Sequence, residues 1–165
     1  QKLILNGYMR DNYQREKAQE YLKNVNENDW ILINDIDEIP NLKNIDFKKI
    51  SNKLVFFKQQ IFFYKFNLHD KSSVWFGWHF TNIKSPENIQ KKLLNYTHHD
   101  EFEKSGIDLE ALKKKIEEKT AIYDHGVDQR LNKFNKGKRL ENVDLTKMPD
   151  YLRENFKKYV EWLEI

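Results

Sequence analysis

The sequence predicts an α/β fold: strands in one sheet with helices packed against it. Two observations carry this. A segment with helical spacing runs straight into a short apolar stretch of strand length, and aromatic, strand-like segments further on give way again to helical spacing.

Taken in order, residues 8 to 25 place Met9, Tyr13, Ala18, Tyr21, Leu22 and Val25 at helical intervals, with Asp11, Gln14, Arg15 and Ala18 on one face. The polar turn Asn26-Glu27-Asn28-Asp29 precedes Trp30-Ile31-Leu32-Ile33, which reads as a fully buried strand. That strand stops at Asn34-Asp35-Ile36-Asp37-Glu38-Ile39-Pro40. Residues 53 to 67 are dense in β-formers around a polar break at Lys58-Gln59-Gln60, as in two strands or one bulged strand. Ser73 to Phe80 reads as a further strand, and Ser85-Pro86-Glu87 opens a short helix through Leu94. Asp108 is placed to cap a helix over 109–120 with Leu109, Leu112 and Ile116 inward. A basic, loop-like stretch from Asn132 to Asn142 precedes a last helix over about 149–163, striped by Leu152, Phe156, Val160 and Leu163. No repeat or linker interrupts the chain, so residues 1–165 read as one domain.

Composition narrows the function. Aromatic residues make up 14% of the 165 positions, which argues against disorder and for a real core. Cysteine is absent, which excludes disulfides, cysteine-ligated zinc and thiol catalysis, and fits a reducing compartment. Lys and Arg number 29 against 26 acidic residues, too even a balance for a nucleic-acid binder. The pI near 8.8 fits an anionic ligand or an acidic membrane surface. No apolar stretch approaches the roughly 18 residues of a membrane span, and Leu3-Ile4-Leu5 is too short for the apolar core of a signal peptide. The chain opens on Gln1 rather than Met, which leaves room for an upstream portion outside it.

The acidic run Asp35-Ile36-Asp37-Glu38 is the strongest chemical signal. Carboxylates this dense repel one another near a core unless a positive group sits among them. A hard divalent cation, Mg²⁺ or Mn²⁺, would hold their oxygens and keep positions open for phosphate; a solvated acidic turn is the plainer reading. Two reaction classes use such a pair at a strand end. Nucleotide-sugar glycosyltransferases hold a metal there that neutralises the diphosphate leaving group, and aspartyl phosphatases use the first Asp as nucleophile. The phosphatase pattern wants Thr or Val where Ile39 stands, a motif on the first strand and a later Gly-Asp-x-x-x-Asp, none of which is met.

Asn34-Asp35-Ile36-Asp37-Glu38-Ile39-Pro40 resembles the Asp-x-Asp-Glu-Ile-Pro signature of glycosyltransferase family 17, related to the bisecting β-1,4-mannosyl-glycoprotein N-acetylglucosaminyltransferase. Tyr13-Gln14-Arg15 resembles that family's upstream helix, and Gly77-Trp78-His79-Phe80 its Gly-Trp-His-Phe block. Lys92-Leu93 with His98 and Asp100 resembles its Lys-Leu…His-x-Glu block, with Asp100 in place of Glu. Met148-Pro149-Asp150-Tyr151-Leu152 resembles its closing segment, so the likeness spans about residues 8 to 163.

The resemblance implies a GT-A-like mixed sheet flanked by helices, lacking part of the N-terminal nucleotide-binding half that family members carry. It implies a metal-dependent, inverting transfer of a sugar, N-acetylglucosamine, from a UDP-sugar such as UDP-N-acetylglucosamine to a glycan acceptor. Asp35, Asp37 and His98 would hold Mn²⁺ or Mg²⁺. Arg15 and Lys92 would face the diphosphate, and Trp78 and His79 the sugar or a phosphate. Arg15 has an i,i+4 pair with Asp11 as its plain alternative. The general base needs a carboxylate near the acceptor hydroxyl; Asp100, Glu101, Glu38 and Asp128 are candidates, with Asp100 favoured and Glu38 next. Lys113-Lys114-Lys115 reads as a solvated helix face, and the basic cluster Lys133 to Arg139 around Phe134 as a solvated loop, with anionic lipid, a charged glycan or nucleic acid as its alternative partners. The expected setting is cytoplasmic, with peripheral contact at the inner membrane face. A non-catalytic carbohydrate-binding or interaction domain derived from such an enzyme is the alternative function.

Overall fold

A computed structural model describes residues 2–71, 76–96, 99–124, 134 and 137–165, without the side chains of residues 2–4. Helix α1 covers Lys2–Gln19 and tightens into a 3-10 turn over Glu20–Asn24. Five short strands form one mixed sheet: β1 Glu38–Pro40, β2 Gln60–Phe63, β3 Leu68–Asp70, β4 Gly77–Thr81 and β5 Leu140–Asn142. Their order across the sheet is β1-β4-β2-β3-β5. The central pair, β2 and β4, is parallel, and the remaining neighbours are antiparallel. Helices α2 Pro86–Asn95, α3 His99–Ser105, α4 Leu109–Glu117 and α5 Asp150–Glu154 complete the fold. This is the α/β architecture the pattern predicts.

The strand period explains the layering. Successive side chains of a strand point to opposite faces. On β2, Phe63 joins the cluster of Ile89, Leu93, Phe102 and Leu112 from α2, α3 and α4, whereas Phe62 joins Met148 and Leu152 of the C-terminal segment. On β4, Trp78 and Phe80 pack on that C-terminal side. His79 and Thr81, alternating with them, face the α2 side.

The helices form for local reasons. Pro86 stands at the start of α2, where its fixed φ suits the first turn, and Ser85 caps it by accepting from the Asn88 N–H at 3.4 Å. Ile89 and Leu93, one turn apart, are buried completely, and each contributes roughly 1.5–3 kcal/mol. Asp108 caps α4 by accepting from the Ala111 N–H at 2.8 Å, as its position predicts.

Four expectations are corrected. Trp30-Ile31-Leu32-Ile33 is extended but unpaired, and Ile33 is 80% exposed, so it is no buried strand. The acidic motif therefore lies at the start of a strand, β1, rather than at the end of one. The break in the aromatic segment falls after Phe63, not at Lys58-Gln59-Gln60: Tyr64 turns the chain at φ 65 and its hydroxyl donates to the Thr120 carbonyl. Within the basic stretch, Leu140–Asn142 is a strand that closes the sheet edge. The final apolar stripe is divided: α5 ends at Glu154, and a 3-10 helix over Phe156–Trp162 is kinked at Tyr159. The first residues of the expected strand, 73–75, lie outside the described residues. Lys113 meets Glu110 at 3.1 Å and Lys114 meets Glu118 at 3.8 Å on a solvated face, as expected. Phe134 is a core ring between Phe102 and Tyr123, and Lys138 meets Asp124 at 3.4 Å; Lys133 and Lys136 lie outside the described residues. Among the described residues no helix is long and apolar enough to cross a membrane.

Candidate functional site

The acidic motif is held as a tight turn by its own side chains. Asn34 donates to the Asp35 and Glu38 carbonyls at 2.9 and 2.8 Å, the Glu38 N–H donates to the Asp35 carbonyl, and the Asp35 N–H donates to Glu38 Oε2 at 3.1 Å. These bonds satisfy backbone groups that a three-residue strand leaves open. The turn is fixed to the sheet by the β1–β4 pairing, in which Glu38 stands opposite His79 and Pro40 opposite Gly77. The Phe80 N–H extends this ladder by donating to the Asp37 carbonyl at 2.8 Å.

Gly77 makes the pairing possible. A Cβ there would lie 2.5 Å from the Ile39 carbonyl oxygen and 2.8 Å from Pro40 Cα. Only hydrogen fits between the strands at that point.

The result is a convergence at one edge of the sheet. His79 Nε2 lies 3.8 Å from Asp37 Oδ1, and Nδ1 lies 4.0 Å from Glu38 Oε1. Because β1 runs antiparallel to β4, Asp37 sits at the C-terminal end of the parallel β2–β4 pair. That is the edge where open α/β sheets receive ligands. Two cations flank the carboxylates. Arg15 of α1 reaches Asp35 Oδ1 at 3.6 Å, both side chains being 65% exposed, so the exposed pair adds less than about 1 kcal/mol. Lys92, half-buried on α2, has its pKa pushed below the ordinary lysine value by burial; Asp37 pulls it up, and Lys84 adds to the fall. A cation in that position gains from any anion brought to it.

Tyr123 closes the inner side of the site. Its hydroxyl lies 3.4 Å from Thr81 Oγ1. Burial raises its pKa, Thr81 and Asn82 beside it act the other way, and Asp37 adds to the rise. The phenol is therefore neutral at physiological pH and serves as a hydrogen-bonding wall.

The remaining expected residues are dispersed. Trp78 lies on the opposite face from His79, and its indole N–H donates to the Lys147 carbonyl at 2.9 Å. Asp100 is on α3, with Lys104 Nζ at 3.3 Å from its Oδ2. Partial burial would raise its pKa, but Lys104 and the local backbone N–H groups outweigh this and hold it below the ordinary value. His98 and Asp128 lie outside the described residues.

Among the described residues no three His, Asp or Glu side chains form a ready ligand shell. The turn nevertheless carries hard oxygen donors of the kind a divalent cation takes, the Asp35 and Asp37 carboxylates, and such ions complete their coordination with phosphate oxygens and water.

Sequence reasoning missed Thr81, Asn82, Lys84 and Tyr123. The first three follow the Gly-Trp-His-Phe block directly, and the signal for them was their position past a strand end. Tyr123 comes from beyond α4 and had no local signal. Comparison with family models, curated proteins and solved structures finds no match to this chain.

Proposed function

We propose that this chain is a metal-dependent, inverting glycosyltransferase that transfers a sugar, N-acetylglucosamine, from a UDP-sugar to a glycan acceptor. The observation that supports this most is the acidic turn docked on His79 at the C-terminal edge of the parallel strands, with Arg15 paired to Asp35 and Lys92 within the field of Asp37. Carboxylates and cations alternating around one strand edge suit a metal and a diphosphate together better than either alone. Asp35 and Asp37 hold Mn²⁺ or Mg²⁺, with Glu38 bracing the turn through the Asp35 N–H. The ion supplies charge neutralisation of the departing UDP. Arg15 and Lys92 bind phosphate oxygens, and His79 donates to a phosphate or a sugar hydroxyl.

Inversion requires one carboxylate to take the proton of the acceptor hydroxyl. Asp100 and Glu38 are the two candidates, and both are carboxylates with a hydrogen-bonded partner that fixes the side chain. The test is UDP release from UDP-N-acetylglucosamine, measured with Mn²⁺ and again with a chelator. Metal-dependent release supports a transferase acting on water in place of acceptor. Binding of the donor without release at any acceptor tried supports a carbohydrate-binding relative instead.

A further inference from the structure

A cavity of about 320 Å³ lies on the face of the sheet away from His79, between residues 40–43 at the end of β1 and residues 146–153 of the C-terminal segment. Small-molecule pockets run from roughly 300 to 1,000 Å³, so it has room for a small ligand. One wall is Trp78, half-buried and opposite Ile39 in the β1–β4 register. Its indole N–H is already engaged by the Lys147 carbonyl at 2.9 Å, so what Trp78 offers a ligand is apolar ring surface. The acidic turn stands at the other end of β1, and Glu38 and His79 point to the other face.

The charges beside that ring are uneven. Lys43 and Arg153 share the one carboxylate of Asp150, Lys43 at 3.5 Å from Oδ2 and Arg153 at 2.6 Å from Oδ1, and all three side chains remain open to solvent. Lys147, the third cation of the lining, has Asp144 near it. Two cations against one carboxylate leave a positive charge over, which a single anionic group balances. Asp150 engages Nη2 of Arg153, and a guanidinium carries further donors that fit a second carboxylate. A phosphate monoester would bring up to two negative charges against Asp150, whereas a carboxylate brings one. The Asp150 oxygens also accept from hydroxyl groups.

We propose that this cavity binds an acidic saccharide, a sugar ring bearing one carboxylate. The C–H face of the ring lies on Trp78, its carboxylate meets Lys43 and Arg153, and its hydroxyls donate to Asp150. The site is separate from the acidic turn, and its ligand binds whether or not the sheet edge transfers a sugar. Trigalacturonate, whose units each carry one carboxylate, is titrated into the native protein, Lys43→Gln and Arg153→Gln, with maltotriose as the uncharged comparison. Both variants lose exposed pairs alone and melt close to the native protein. The indole N–H resonance of Trp78, identified by its loss in Trp78→Phe, reports occupancy of the cavity. The expected result is that trigalacturonate shifts this resonance, binds about tenfold more weakly in each charge variant, and weakens as salt is added. Maltotriose binds at least about tenfold more weakly than trigalacturonate. No binding of trigalacturonate to the native protein overturns the proposal, as does equal affinity for maltotriose. Binding that leaves the Trp78 resonance unmoved, or that is native-like in both charge variants, also overturns it. So does loss of trigalacturonate in Asp35→Asn/Asp37→Asn, which would move the saccharide to the acidic turn. None of these outcomes decides the transferase reading, which is tested on UDP.

Discussion

Replacing Gly77 by Ala tests how the site is held together. The new Cβ would come 2.5 Å from the Ile39 carbonyl oxygen, whereas ordinary contacts of this kind begin near 3.4 Å. Strands β1 and β4 must separate by about 1 Å to admit it, and the obstructing atoms are backbone, which cannot swing aside. Overpacking of this severity costs about 3 kcal/mol. For a chain of this size that is a fall in Tm of about 6–12 °C. The same separation withdraws Asp37 and Glu38 from His79, two residues along β4, so metal-dependent nucleotide binding falls with stability. Gly106→Ala is the control. Gly106 has φ 70 but nothing within 4 Å of a Cβ, so the variant loses about 1 kcal/mol from the left-handed backbone alone. Circular-dichroism melting and nucleotide titration of both variants give the answer. A G77A protein that melts with the native one and binds equally well would refute the β1–β4 register.

Two further outcomes follow from single contacts. His69, buried beside Phe62, has its pKa lowered by burial below the ordinary 6.5, with Asp70 and Glu141 acting weakly against the shift. The unfolded chain therefore takes up a proton near pH 6.5 that the folded chain takes up only at lower pH, so stability falls as pH drops through that window. Denaturant midpoints at pH 7.5 and 5.5 should show a smaller drop in His69→Gln than in the native protein; equal drops would remove His69 as the cause. Trp78→Phe removes the 2.9 Å bond to the Lys147 carbonyl and should cost about 1 kcal/mol of stability. Because that indole lies on the face away from His79, UDP affinity should stay native, and its loss would place Trp78 in the donor site.

What could be read in the sequence was whatever local chemistry decides. Ser85 and Asp108 announced their helices because a cap is made within one turn. Gly77-Trp78-His79-Phe80 read as strand, and so did the apolar part of 60–63. Trp30 to Ile33 misled because four apolar residues specify a buried strand only where a neighbour stands ready to pair, and β4 instead pairs with Glu38–Pro40. Leu140–Asn142 was hidden because its strand character comes from β3 across a long stretch of chain, in a segment whose charges suggest a loop. The acidic turn was legible as chemistry but not its partners. Lys92 was visible as a basic residue in a recognisable block, while Tyr123 reaches the same place through topology, which no local pattern encodes.

The central claim is that the acidic turn holds a metal for a nucleotide diphosphate. Its most direct test is calorimetric titration of UDP into the native protein and into Asp35→Asn/Asp37→Asn, with Mn²⁺ present and then chelated. The double variant loses the exposed Arg15–Asp35 pair and the charge of the 3.8 Å contact between Asp37 and His79, both at least partly open to solvent, so it should melt close to the native protein. Binding that requires Mn²⁺ in the native protein and vanishes in the folded double variant is the predicted result. UDP bound with native affinity by the double variant, or equally well without metal, would contradict the account.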